Sequence, residues 1–277
     1  MLRGMLAVIA VVLLLQGRAT ADEAATYYHK AMAYKQQGKV DEAVRELRRA
    51  LELRPDYAAA HYSIGILFRQ RGEDQKAIHH LERATQIEPK AAQSYYSLGI
   101  AYQKANRTED AIKALTTAAS LAPKDDQIQS GLGTLLIRKN PKQAIPHLLA
   151  AVNAKPGEAD YNAKLGLAYR KANDLKNAEK YLLKANGIKE EAATCFDLGA
   201  LYRRLNKTDK AIEHYEAAVR MNPKMADAYW DLGHMYAQAK REDDAIEAFN
   251  KYLKLKGSSK DAGIARKRIE ELKGRKK

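Results

Sequence analysis

The sequence predicts an all-α protein built from stacked helical hairpins, and three observations predict it. Glycine returns as Gly65, Gly99, Gly133, Gly166, Gly199 and Gly233, at intervals of 33 or 34 residues. Alanine keeps the same beat as Ala43, Ala77, Ala111, Ala144, Ala178, Ala211 and Ala245, and proline as Pro55, Pro89, Pro123, Pro156 and Pro223. Within each period the apolar residues recur at helical spacing, and no stretch reads convincingly as a strand.

The stretch Ala92–Asp125 serves as the type, with Ala92 as position 1. Tyr95, Leu98, Gly99 and Tyr102 fall at positions 4, 7, 8 and 11, then Ala111, Leu115, Ala118 and Pro123 at 20, 24, 27 and 32. These are two amphipathic helices and a stop. A glycine inside a helix costs about 0.5–1 kcal/mol relative to alanine. Its recurrence therefore marks close approach of the first helix to the second, where Ala111 and its equivalents are expected to answer it. Proline lacks an N–H and disfavours helix in the residue before it, so it ends the second helix. This pattern resembles the tetratricopeptide repeat family. The resemblance implies a right-handed α-solenoid superhelix of about seven helix-turn-helix units plus a C-terminal capping helix, in which stacking buries stripes that no hairpin hides alone.

In chain order, residues 1–21 read as a secretory signal. Arg3 supplies a positive start, Met5–Leu15 an apolar run, and Ala19, Thr20 and Ala21 a small-residue site for cleavage between Ala21 and Asp22. A retained anchor is the alternative. The uncharged stretch 4–17 makes only about 21 Å of helix against roughly 30 Å of hydrocarbon, which argues against it. The expected location is outside the cytoplasm: periplasmic or secreted, in a bacterial envelope.

The repeats run 24–57, 58–91, 92–125, 126–158, 159–191, 192–225 and 226–259. The first carries Lys30 where leucine is usual, as an end cap with one unneighboured face would. The fourth is one residue short between its helices, where Asn140 and Pro141 make the turn. The fifth is short at its far end, where Asn186 and Gly187 replace the proline link. A local change of twist is expected at both, not a domain boundary. Asn106-Arg107-Thr108 and Asn206-Lys207-Thr208 match a glycosylation acceptor pattern. A structural reading is preferred: each asparagine takes the left-handed turn where Gly38 and Gly72 stand elsewhere, and each threonine caps the next helix. In 260–277, Ile264, Ala265, Ile269 and Leu272 form one face of a capping helix opened by Ser258, Ser259 and Asp261.

The net charge of +14 falls to +12 without Arg3 and Arg18, and residues 251–277 carry a surplus of 8. Basicity thus belongs to the tail, and nucleic acid is not an expected partner. The single cysteine, Cys195, excludes a disulfide within the chain and is expected as a buried filler at position 4. Motifs for nucleotide binding, nucleophilic catalysis or zinc are missing, so neither enzyme nor cofactor is expected. His80, His147 and His214 share position 23, but alternate repeats would hold them about 20 Å apart, too far for a shared metal.

What remains is a surface. In the family, the first helix of each pair lines a concave groove through positions 2, 5, 9, 12 and 13. By that resemblance, position 5 supplies Tyr28, Tyr62, Tyr96, Ser130, Ala163, Phe196 and Trp230. Position 9 supplies Met32, Ile66, Ile100, Thr134, Leu167, Ala200 and His234, and position 12 supplies Lys35, Arg69, Gln103, Ile137, Arg170, Arg203 and Ala237. The expected ligand is a peptide or partner protein, apolar toward the floor and with carboxylates toward Arg69, Arg170 and Arg203. Met32 stands where the chaperone-binding subclass carries asparagine, which argues against chaperone tails. The function expected is a non-enzymatic adaptor in an envelope assembly. The alternative is surface tethering, in which Arg266, Lys267, Arg268, Lys273, Arg275, Lys276 and Lys277 meet anionic lipid and the repeats are a spacer.

Overall fold

The computed structural model describes residues 22–274, and among these every regular element is a helix. The first is α1 (22–36). There follow α2 (Val40–Leu53), α3 (Ala58–Gln70), α4 (Asp74–Ile87), α5 (Ala92–Lys104), α6 (Thr108–Leu121), α7 (Asp126–Lys139) and α8 (Pro141–Ala154). Then come α9 (Ala159–Lys171), α10 (Leu175–Ile188), α11 (Ala192–Arg204), α12 (Thr208–Met221), α13 (Ala226–Gln238), α14 (Glu242–Lys256) and α15 (Ala262–Gly274). Each repeat is one hairpin. The signal assigned to 1–21, with Ala21 of its cleavage site, lies outside the described residues, as do Arg275, Lys276 and Lys277.

The turn inside the hairpin needs a left-handed residue, and the sequence supplies one. Gly38 and Gly72 have φ of 73° and 74°, and Asn106, Asn173 and Asn206 have 59°, 68° and 55°. Asparagine tolerates this region because its short polar side chain bonds locally. Lys240 takes the same place at 58°. Repeat four dispenses with that residue: Asn140 stays at φ −147° and its side chain accepts from the Gln143 N–H, with Pro141 opening α8. The capping role given to the threonines is not found, since Arg107 and Lys207 are the N-caps of α6 and α12 and neither makes a side-chain cap bond. In repeat five Asn186 and Gly187 do not form the link. They are the last turn of α10, and the connection is the extended segment 189–191.

The helical glycines pack as their cost implies, with a second, closer partner beside the expected alanine. A methyl group on Gly65, Gly99, Gly133 or Gly166 would lie 2.6–2.7 Å from Cγ of Leu81, Leu115, Leu148 or Leu182, at position 24 of the type repeat. At Gly199 and Gly233 the neighbours are the rings of Tyr215 and Phe249. The position-20 alanine contributes its carbonyl oxygen, 3.2–3.3 Å away in repeats two to four. So the glycine makes room for a large side chain on the second helix, and the alanine lets the backbones close.

The described chain forms two compact units, dividing between Pro123 and Lys124. In the N-terminal unit, repeats one to three, α1 and α2 share with α3 and α4 a core of Ala31, Leu47, Ile64, Leu67 and Phe68. Its outer end is polar: Lys30 lies 3.3 Å from Glu46 of α2, which also receives Arg49 at 3.1 Å. His61 and His80 meet within the α3–α4 hairpin, their Nδ1 atoms 3.0 Å apart, and His61 Nε2 lies 3.1 Å from the Pro55 carbonyl. A carbonyl only accepts, so Nε2 of His61 carries the proton, its Nδ1 accepts, and His80 Nδ1–H donates. Burial first, then His61, His79 and Arg48, hold the His80 pKa down at about 4 from an ordinary 6.5. The unfolded chain therefore binds more protons between these values. This contribution to stability is complete above about pH 6.5 and is lost as pH falls through about 4. The expected result is a falling melting temperature over that window, flattened by His80→Gln. An unchanged slope in the variant would reject the assignment.

The C-terminal unit, repeats four to seven, ends in α15. Ala265, Ile269 and Leu272 pack with Phe249 and Tyr252 of α14, so the capping role holds. The inward face also uses Ala262, whereas Ile264, assigned there from sequence, is 49% exposed. The helix starts at Ala262, and on a 3.6-residue turn Ala262, Ala265, Ile269 and Leu272 align while Ile264 is rotated away. Cys195 is buried, its Sγ 3.3 Å from Asn186 Oδ1, and burial followed by Glu190 pushes its thiol up to about 11. It is an inert filler.

Candidate protein-binding faces

Within each unit the first helices of successive hairpins touch one another, α3 on α5 in one, and α7 on α9, α9 on α11 and α11 on α13 in the other. Among the described residues second helices meet less than this, so the first-helix side is the closer-packed side of each stack.

In the N-terminal unit this face carries Tyr28, Tyr62 and Tyr96, all half-buried. Met32 and Ile100 are half-buried and Ile66 is buried, forming the apolar floor between the rings. Tyr28 rests on Tyr57 with centroids 5.2 Å apart, Tyr62 Oη lies 3.4 Å from Ser97 Oγ, and Ser63 Oγ lies 4.0 Å from Met32 Sδ. Lys35 and Gln103 are exposed and Arg69 half-buried.

In the C-terminal unit the aromatic row is interrupted as expected, Ser130 and Ile137 being buried and Ala163 small. It resumes with Phe196, whose ring centroid is 5.6 Å from that of Tyr215. Trp230 is wedged against His234, Tyr252 and Phe249 at 4.8, 5.0 and 5.9 Å. His234 is held below its ordinary pKa by burial, with the Arg268 charge adding to it. Leu167 is half-buried, Thr134 likewise, and Ala200 buried.

The cations need correction. Arg170 and Arg203, expected to face carboxylates of a ligand, are each engaged by the following repeat. Arg170 Nη2 donates to Asp197 at 2.6 Å and Arg203 Nη1 to Asp231 at 2.8 Å. Tyr215, fully buried, donates to the other Asp231 oxygen at 3.1 Å. Burial pushes both carboxyls above the usual range, and the arginines oppose it. The sequence reading missed Asp197 and Asp231. The available signal was an acid at position 6 following an arginine at position 12 of the preceding repeat. Arg69 has no ion-pair partner among the described residues.

The histidines at position 23 are packing groups of their own hairpins. His147 Nδ1 lies 2.8 Å from Gln129 Oε1, and His214 stacks on Tyr202 at 5.3 Å. Among the described residues no group of three His, Cys, Asp or Glu is arranged to hold a metal, and no helix is long and apolar enough to cross a membrane. On α15, Arg268 and Lys273 pair with Glu271 and Glu270 at 2.8 and 2.9 Å, and Arg266 donates to the Gly257 carbonyl at 3.0 Å. Lys267 is exposed. Two of the four described tail cations are thus paired on the helix itself.

Comparison with known proteins agrees with this architecture. Models of the TPR repeat match residues 31–68 and 67–106, and models of the tetratricopeptide repeat match 92–125, 159–191 and 196–260. No curated protein matches the chain. Among solved structures, it is similar to a chain of the APC/C hetero-tetramer Cut9–Hcn1, with a TM-score of 0.64 and 17% identity over 89% of this chain and 48% of that one. It spans about half the length of that relative. It is also similar to Pseudomonas aeruginosa pilF, TM-score 0.62 and 21% identity over 79% of this chain and 99% of that one. A tetratricopeptide repeat protein of Parabacteroides merdae gives a TM-score of 0.63 and 15% identity over 91% and 99%. At these identities the likeness is one of fold. This fold is that of protein–protein interaction scaffolds, and TPR-repeat proteins are typically non-enzymatic. With the 34-residue hairpins, their glycine-for-leucine packing and the matched stretches all in agreement, the chain belongs to the tetratricopeptide repeat family.

Proposed function

We propose that the protein is an exported, non-enzymatic adaptor of a bacterial cell envelope that holds partner proteins against the first-helix faces of its units during assembly of a larger complex. The observation that carries this reading is the partial exposure of Tyr28, Tyr62, Tyr96, Phe196 and Trp230, all at position 5 of their repeats. Large rigid rings with one open edge supply contact area at little entropic cost. The family supports the protein-binding part, and the leader-like residues 1–21 support the location. The Cut9–Hcn1 relative is itself a hetero-tetramer, in keeping with a role in assembly.

The test is an affinity capture from envelope extract with wild type and a Tyr62→Ala, Tyr96→Ala, Trp230→Ala triple variant, both verified as helical by circular dichroism. The triple variant is expected to lose the specific partners. An unchanged partner list removes these faces from consideration. Tethering through the tail is the weaker reading, because Arg268 and Lys273 are already paired on α15.

A further inference from the structure

We infer that the first-helix face of the N-terminal unit, repeats one to three, is the part that recognises a partner, and that the segment it takes is an acidic peptide. This rests on the adaptor reading and names the chemistry of its ligand.

The two units differ at positions 2, 6 and 12, although Arg138 and Lys171, at position 13 of repeats four and five, also lack a carboxylate within ion-pair distance among the described residues. In the C-terminal unit, position 12 of one repeat is joined to position 6 of the next, Arg170 to Asp197 and Arg203 to Asp231. Arg204, at position 13, is also bound, to the Arg170 carbonyl at 3.0 Å and Asn173 Oδ1 at 2.7 Å. Lys164 pairs with Asp160. Arg170, Arg203 and Arg204 thus hold repeats together, Lys164 is paired within α9, and the face carries its own acids, Asp160, Asp197, Asp227 and Asp231.

In the N-terminal unit the residues facing Lys35 and Arg69 in the same register are Ser63 and Ser97, which carry no charge and are buried. Lys35, Arg69 and Lys104 have no carboxylate within ion-pair distance among the described residues. No aspartate or glutamate stands at positions 2, 5, 6, 9, 12 or 13 of repeats one to three. The face is therefore three tyrosines and an aliphatic floor, rimmed by three uncompensated cations. A carboxylate arriving there gains charge-assisted hydrogen bonds and displaces no resident acid. The chain's own undescribed segments do not fit: residues 1–21 carry Arg3 and Arg18 and no acid before Asp22, and 275–277 are all basic. The occupant is an acidic segment of another protein.

The probe is a fluorescein-labelled peptide of glutamate, glycine and leucine, with a control in which lysine replaces every glutamate. Fluorescence anisotropy on the full chain is expected to show binding of the acidic peptide, weakening with salt, and none of the control. Lys35→Gln with Arg69→Gln is expected to weaken binding at least tenfold. Ser63→Asp with Ser97→Asp, which copies the C-terminal ladder onto these cations, is expected to do the same in a variant that circular dichroism shows to be folded. Lys113→Gln, on the exposed side of α6, is the charge-removal control and leaves binding unchanged. Equal binding of both peptides, absence of binding, or indifference to the Lys35/Arg69 variant overturns the inference. So does a concentration-dependent dimer in sedimentation velocity that this variant dissolves, which assigns the face to a second copy. If envelope partners are lost from the Tyr62/Tyr96/Trp230 variant but kept by the Lys35/Arg69 variant, the adaptor reading stands and the acidic partner falls. If both variants keep them, the adaptor reading falls as well.

Discussion

Gly166→Ala is expected to destabilise the C-terminal unit by about 1–2 kcal/mol, although alanine is the better helix former. The new methyl group would lie 2.7 Å from Leu182 Cγ and 2.9 Å from the Leu182 backbone nitrogen. A side chain can rotate away, but a backbone atom moves only if α10 moves. Overpacking of this kind costs about 1–3 kcal/mol, against a gain of about 0.5–1 kcal/mol in helix propensity. Gly187 is the natural control. It lies in the last turn of α10 with nothing within 4 Å of the added methyl. Gly187→Ala is expected to stabilise by about 0.5 kcal/mol, chiefly through the unfolded chain. Urea midpoints of the two variants should move in opposite directions. A Gly166→Ala protein at least as stable as wild type would contradict the packing described.

Asp231→Ala is expected to cost about 2–3 kcal/mol, the largest effect of any charge removal on this face. Most of this comes from the Tyr215 hydroxyl, which is fully buried and donates to Asp231 at 3.1 Å. Left without an acceptor, such a group costs about 1–3 kcal/mol. The Arg203 pair adds less, about 0–1 kcal/mol, because the Arg203 side chain is 43% exposed and solvent screens it. A double-mutant cycle separates the two. Tyr215→Phe removes the orphaned hydroxyl, so Tyr215→Phe with Asp231→Ala should cost less than the sum of the single changes, by 1 kcal/mol or more. Strict additivity would show that Asp231 acts through Arg203 alone.

The two predictions bear differently on what was legible in the sequence. The repeat, the left-handed turn residues at Asn106 and Asn206, and the seal formed by Ala265, Ile269 and Leu272 all follow from local rules. A position needing positive φ selects glycine or asparagine, and an amphipathic stripe needs something to cover it. Each departure has its own cause. Ile264 faces outward because the register is set by where α15 begins. Gly99 meets Leu115 as well as the expected Ala111, because periodicity does not say which large side chain of the second helix fills the space a glycine leaves. The partners of Arg170 and Arg203, Asp197 and Asp231, lie a whole repeat away, beyond what the pattern of one hairpin carries.

The residue pattern by itself determined the all-α class, the helical-hairpin repeat and the position-5 ring series, since each depends on interactions within one hairpin, close along the chain. Only the tertiary structure decided which cations are paired between repeats and which have no acid partner among the described residues, because ion pairing depends on separations of a few ångströms between residues of different hairpins.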